Sequence, residues 1–208
     1  MPKILTRPDI EEFREKLCAA ATHIFAERGR DGFTMRELAS SLGVSAMTPY
    51  RYFRDKEDML AAVRARAFNR FAGALEAAYD ACGDALHNDA LSRSRSVGLA
   101  YIRFAFAESH SYRLMFDLSQ PEEDQYPALV QASARARGTM TRHVIPLVER
   151  GILAGDPALI GHVMWASLHG AVVLELAGKL TTDFGFDRIV EESFTALFQG
   201  FAAKRITG

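Results

Sequence analysis

Cysteine is nearly missing from this chain: 208 residues carry only Cys18 and Cys82, far apart and each inside a helix-like pattern. Two cysteines build neither a disulfide framework nor a four-ligand zinc site, and a reducing, cytoplasmic setting is the natural one. No long apolar core follows the opening MPKILTRPDIEE, so a secretory signal is not expected. The most apolar long window, residues 160–178, is interrupted by His162, His169 and Glu175 and reads as a buried helix, with no membrane partner. Strand-like alternation, internal repeats and low-complexity tracts are also missing. So are G-x-S-x-G, a phosphate-binding loop and a cysteine near a plausible base, which leaves no catalytic constellation and no cofactor site. His162 and His169 are seven residues apart with no Cys or carboxylate at ligand spacing, so no metal site is expected.

An excess of one charge sign is lacking too. The formal net charge is −1. Residues 1–60 hold ten basic and ten acidic side chains, which argues weakly against nucleic acid. Placement matters more than the sum. Between Met35 and Lys56 stand Arg36, Arg51, Arg54 and Lys56 against Glu37 and Asp55, a local patch able to attract phosphates.

What is present is helical periodicity. The chain is 49% hydrophobic and 25% charged, an ordinary globular composition for one large or two small domains. In Asp9–Arg28 the apolar residues Ile10, Phe13, Leu17, Ala21, Ile24 and Phe25 form one stripe. From Asp55 to about Ala81 a long helix carries Met59, Leu60, Val63, Phe68, Phe71 and Leu75, with Arg64, Arg66 and Arg70 on other, solvated faces. Helices are further expected over 90–108, 127–153 with a kink at Pro146, 157–179 behind an Asp156 cap, and 186–203. The fold class is all-α with about nine helices. An N-terminal three-helix domain (residues 1–56) precedes a helical body (residues 57–208).

Residues 33–56, FTMRELASSLGVSAMTPYRYFRDK, carry the functional signal. Thr34 with Glu37 makes a capping box, and Phe33 with Leu38 a hydrophobic staple. Gly43 supplies the left-handed residue that ends a helix. Ser45 caps a second short helix and Asp55 a third. Two helices joined by a short glycine-containing turn read as a helix-turn-helix, whose second helix places its N-terminal end in the major groove. That end presents Ser45, Ala46, Met47 and Thr48, then Tyr50, Arg51 and Tyr52, none of them acidic. Methyl groups suit thymine and arginine suits guanine, while tyrosine hydroxyls suit phosphates. A merely solvated helical hairpin is the alternative; the agreement of caps, turn and aromatic-rich second helix favours DNA.

This stretch resembles the DNA-binding domain of the tetracycline-repressor (TetR-like) family. There T-x-R-x-L-A-x-x-L-G-V-S leads into a short recognition helix ending in Tyr-x-x-Phe and then a basic residue. The matching positions are Thr34, Arg36, Leu38, Ala39, Leu42, Gly43, Val44, Ser45, Tyr50, Phe53 and Lys56.

In the body, aromatic residues cluster at Phe68 and Phe71, at Tyr101–Phe106 and at Tyr112–Phe116. Phe104, Met115 and Phe116 belong to them, and most are what a core needs. Tyr101, His143, Trp165 and His169 carry polar tips that require partners when buried, and an apolar pocket with a few polar groups is the usual small-molecule site. Tyr-Arg-Leu-Met-Phe at 112–116 with Trp165-x-x-x-His169-Gly170 resembles a TetR-like subclass named for its Trp-His-Gly signature. Ser109 departs from it, standing where relatives often have proline. The resemblance implies a homodimer through the last two helices, 157–179 and 186–203. It also implies double-stranded DNA with a palindromic operator as partner, and repression relieved by a small effector. An α-bundle enzyme and an interaction module without DNA binding are the competing classes.

Overall fold

The computed structural model describes residues 6–29, 32–82, 89–117, 123–180 and 183–203. Among these, nine α-helices occur: α1 Arg7–Arg28, α2 Met35–Ser41, α3 Lys56–Asp80, α4 Asp89–Ala107, α5 Ser109–Met115, α6 Pro127–Arg142, α7 Ile145–Glu149, α8 Pro157–Leu176 and α9 Gly185–Phe201. Two 3-10 turns, Pro49–Arg51 and Glu123–Gln125, complete the set. The chain divides into two compact units, Met1–Asn69 with His110–Ser133, and Arg70–Ser109 with Ala134–Gly208.

In the first unit, α1 starts earlier than its apolar stripe suggests. Thr6 caps it: its hydroxyl oxygen accepts from the Asp9 amide, and the Asp9 carboxylate accepts from the Thr6 amide at 2.8 Å. Pro8 sits in the first turn, where a missing N–H costs nothing. Leu17, Ala21 and Phe25 of α1 are buried against Phe33, Leu38, Phe53, Met59, Leu60 and Val63, and Leu114 of α5 joins the same core. Phe25 and Phe33 stack at 4.1 Å. Cys18 lies in this core, and burial pushes its thiol up to about 12, which makes it an inert packing residue.

Arg64 corrects the expectation of a solvated face. It is only 5% exposed, and its guanidinium donates to the Met115 carbonyl at 3.4 Å. Arg66 pairs with Glu15. A periodic stripe locates the apolar face but says nothing of what another helix lays over the remaining faces.

In the second unit the helix expected over 127–153 is divided. Pro146 cannot donate to the Arg142 carbonyl and its ring crowds that oxygen, so α6 stops at Arg142. Val144 N–H turns back to Thr141 O at 2.9 Å, and α7 restarts with Pro146 in its first turn. The break leaves His143 buried. Leu147, Leu153, Ile160 and Met164 form the local core, against which Phe194, Leu197, Phe198 and Phe201 of α9 pack. Asp156 caps α8 as expected, accepting from the Ala158 amide at 2.7 Å.

α8 is long and apolar enough to cross a bilayer by length and composition alone. In the fold it lies along α9 and against α4. Burial holds for one face only: Ile160, Met164, Leu168 and Val172 are buried, whereas Leu159, Val173 and Leu174 are exposed.

Candidate functional site

The first candidate surface is built from α2 and the turn that follows. Thr34 caps α2, accepting from the Glu37 amide at 3.1 Å. The expected capping box is made by half, because the Glu37 carboxylate pairs instead with Arg28 of α1. Phe33 and Leu38 are both buried, as the staple requires. Gly43 at φ 65 turns the chain, and the Val44 amide closes across it to Ala39 O at 3.0 Å, the hydrogen-bond pattern of a glycine-ended helix.

Beyond Gly43 the chain forms not the short α-helix read from the pattern but a tighter 3-10 winding. Proline is the reason. In an α-helix residue 49 would donate to the Ser45 carbonyl, and Pro49 has no N–H to give. Thr48 N–H takes that acceptor at 2.8 Å, Arg51 N–H reaches Thr48 O at 3.1 Å, and Tyr52 N–H reaches Pro49 O at 3.0 Å. The Ser45 hydroxyl oxygen still caps the start, accepting from Met47 N at 3.4 Å.

Thr34, Arg36, Ser45, Ala46, Met47, Tyr50 and Arg51 are all exposed, Met47 to 67%. Arg36 and Arg51 make no ion pair among the described residues. Thr48 is half-buried, as are Tyr52 and Lys56; the Tyr52 ring packs on Phe13 at 5.1 Å. Arg54 is held by Asp55 at 3.0 Å. Asp55 caps α3, accepting from the Asp58 amide at 2.8 Å, and that bond, ahead of Arg54, keeps its carboxyl below the usual range.

The second candidate is a cavity in the second unit, between α4, α6 and α8. Ser94, Val97, Gly98 and Tyr101 line it from α4, Met140 and His143 from the end of α6, Gly161, Met164, Trp165 and Leu168 from α8, and Phe194 from α9. Residues 94, 97, 98 and 101 are one helical face. Two polar clusters sit in it. Ser94 Oγ and His143 Nδ1 are 2.9 Å apart. Trp165 Nε1 donates to Tyr101 Oη at 3.2 Å, and Tyr101 Oη lies 3.1 Å from His169 Nδ1. Burial lowers both imidazoles, His143 to about 4, so both are neutral near pH 7.

Of the nine residues expected to surround an effector, Tyr101, His143 and Trp165 line this cavity and His169 joins it through Tyr101. Phe71 and Phe104 stand behind: Phe71 meets the Tyr101 ring edge-to-face at 5.2 Å and the Phe104 ring at 5.3 Å. Phe68, Met115 and Phe116 belong to the first unit, where Phe68 and Phe116 meet at 6.0 Å. Sequence reasoning missed Ser94, Met140, Met164 and Phe194. The helical spacing of Ser94 and Tyr101 was the available signal for the first. No sequence signal pointed to the rest; a Cβ at Gly161 would lie 2.5 Å from the Met140 carbonyl oxygen, and glycine is what lets α8 cross α6 so closely.

Comparison with known proteins agrees on both parts of the chain. Residues 17–63 match the family described as bacterial regulatory proteins, tetR family. Residues 94–201, just over half of the chain, match the tetracyclin repressor-like C-terminal domain. Over 140 residues the chain is 29% identical to the HTH-type transcriptional activator FasR of Mycolicibacterium smegmatis, a match covering 67% of this chain and 60% of that protein. It is 35% identical over 65 residues to the HTH-type transcriptional regulator SAB2452 of Staphylococcus aureus, covering 31% of this chain and 35% of the other. The chain thus spans about 60% or less of these curated relatives' lengths. Among solved structures, a Rhodococcus sp. RHA1 protein of unknown function superposes with a TM-score of 0.77 at 28% identity, over 91% of this chain and 95% of that one. The fatty acid degradation regulator FadR of Bacillus halodurans shares the fold at a TM-score of 0.71 and 17% identity, over 94% and 97%. With both halves of the chain matched in the order that the helices and the candidate surface require, this protein belongs to the tetracycline repressor-like family of bacterial regulatory proteins.

Proposed function

We propose that the protein is a cytoplasmic, homodimeric transcriptional regulator that represses from a palindromic operator and is released by a small, partly apolar effector. One observation carries this reading. The segment 45–51 holds Ser45, Ala46, Met47, Tyr50 and Arg51 out of the core, and Arg36 of α2 is exposed too, on a scaffold in which Thr34 and Ser45 cap their turns and Gly43 turns the chain. The names borne by its relatives support the transcriptional-regulator part of this reading; FasR is named an activator and SAB2452 a regulator.

Dimerisation is assigned to α8 and α9. No residue of α9 is buried within one chain, and Leu159, Val173 and Leu174 on α8 and Phe184 before α9 are exposed. A second copy of the same pair would cover this face. Binding a palindrome then requires the two reading segments to meet successive major grooves about 34–36 Å apart.

The effector site is assigned to the cavity lined by Tyr101, His143 and Trp165. Its free interior is about 20 Å³, room for roughly one water, so an effector must move side chains to enter. Met140 and Met164 are the adaptable ones. The lining offers two hydroxyls, one imidazole and an indole but no Lys or Arg, which suits an uncharged ligand. α3 runs as one helix from its Asp55 cap past Phe71, and we take it as the element through which effector binding acts on the reading head. The effector biases the equilibrium only by its differential affinity for the two states.

Selection from random duplex DNA tests the proposal. A palindromic enriched sequence bound by a dimer is expected. Enrichment of nothing, or a monomer at binding concentrations, would refute it.

A further inference from the structure

We infer that Arg14, on α1 and outside the reading surface, is a positioning residue that sets the orientation of the recognition segment; the inference rests on the DNA-binding reading above. The segment needs such help. A single 3-10 turn, Pro49–Arg51, is too short to hold itself, and the carbonyls at the end of any helical turn lack partners within it. Arg14 supplies one. Its Nη1 donates to the Tyr52 carbonyl oxygen at 2.5 Å, a charge-assisted bond at the negative end of the turn. The same guanidinium lies over the Phe53 ring, 4.4 Å from its centroid. The preceding residue, Phe13, packs on the Tyr52 ring at 5.1 Å. Two consecutive residues of α1 therefore grip Tyr52 and Phe53 from one side, on rings and backbone together.

The consequence concerns specificity. Tyr50 and Arg51 reach outward from a turn whose C-terminal end is held by α1. Loosening that end misaligns the base-reading side chains and leaves the number of cations facing phosphate unchanged. Base contacts are orientation-sensitive, whereas phosphate attraction is not.

The test uses the full chain, a duplex enriched by the wild-type protein from a random library, and an unenriched duplex of the same length. Arg14→Met keeps an apolar stem over Phe53 and removes the charge and the donor. Affinity for the enriched duplex should fall about tenfold, the size of one charge-assisted hydrogen bond. Affinity for the unenriched duplex and the salt slope should not move. Arg14→Lys should fail to restore the loss, since an ammonium lacks the planar fork that stacks and donates together. In the free protein, amide exchange over 48–53 should accelerate in Arg14→Met while exchange over 59–68 stays as it is. Equal losses on both duplexes with a salt slope reduced by about 0.9 would make Arg14 a phosphate contact and overturn the inference. Uniform acceleration of exchange would make it a general stabiliser and overturn it equally. If the wild type enriches no duplex, the DNA-binding reading falls, and the exchange measurement still decides whether Arg14 holds the turn.

Discussion

Acidification should destabilise this protein well above the pH at which its carboxylates titrate, and its buried imidazoles are the reason, His143 above all. The imidazole is 7% exposed, sits 2.9 Å from the Ser94 hydroxyl, and burial depresses its pKa from 6.5 to about 4. Above pH 6.5 the folded and unfolded chains both carry it neutral, and its contribution is complete. As pH falls from 6.5 toward 4, the unfolded chain takes up the proton and the folded chain does not. Stability is lost across that window and the loss levels off below about 4. The gap from 6.5 to about 4, at about 1.4 kcal/mol for each pH step, gives a full effect of about 3 kcal/mol. Between pH 7 and pH 5 the share is about 2 kcal/mol. Urea unfolding at fixed protein concentration and at pH 7, 6 and 5 measures it, compared with His143→Gln, which does not titrate and keeps a polar tip near Ser94. Asp55 and Glu76 are held below the usual carboxylate range, by the Asp58 amide and the Arg135 guanidinium respectively. Their stability is lost at lower pH, and they are common to both proteins, as is the contribution of His169, whose imidazole burial also depresses. The difference between the two curves should therefore isolate His143. Parallel curves from pH 7 to 5 would refute a buried neutral imidazole at this position.

Other perturbations test the packing and the two candidate surfaces. Gly161→Ala places a methyl 2.5 Å from the Met140 carbonyl oxygen, and backbone cannot step aside cheaply; a loss of about 1–3 kcal/mol is expected. A melting temperature unchanged at equal protein concentration would show that α6 and α8 part more easily than the contact implies. Lys56→Ala should weaken binding to all DNA and reduce the salt slope by about 0.9, and an unaltered slope would remove Lys56 from the phosphate contacts. Arg36→Ala should cost about 1–3 kcal/mol on the enriched duplex and relax preference at one base position; identical losses on random DNA would make it a backbone contact. Trp165→Phe removes the donor to Tyr101 and keeps most of the ring, so effector release should weaken while the fold stands. Normal release would leave Trp165 a packing residue only.

Much of the molecule could be read before any coordinates. Local hydrogen-bond chemistry is encoded locally, and so the caps at Thr34, Ser45, Asp55 and Asp156 and the turn at Gly43 follow from residue type and spacing. Apolar periodicity located the long helices for the same reason. What a neighbouring helix does was not legible. Pro146 announced a disturbance, but whether it kinks or divides a helix depends on what the freed carbonyls and His143 find around them. Arg64 looked like a solvated cation until α5 brought the Met115 carbonyl to it. Glu37 had the right spacing to close a capping box, yet Arg28 of α1 takes its carboxylate. Pairings such as Ser94 with His143, Tyr101 with His169 and Arg14 with Tyr52 join residues 38 to 68 positions apart. The chain by itself determined that it is helical, that it carries a capped helix-turn-helix, and most of the residues that motif shows to solvent, Thr48, Tyr52 and Lys56 being half-buried instead. Only the tertiary structure decided which polar groups meet, because burial and partnership are properties of helices packed together and of no single helix.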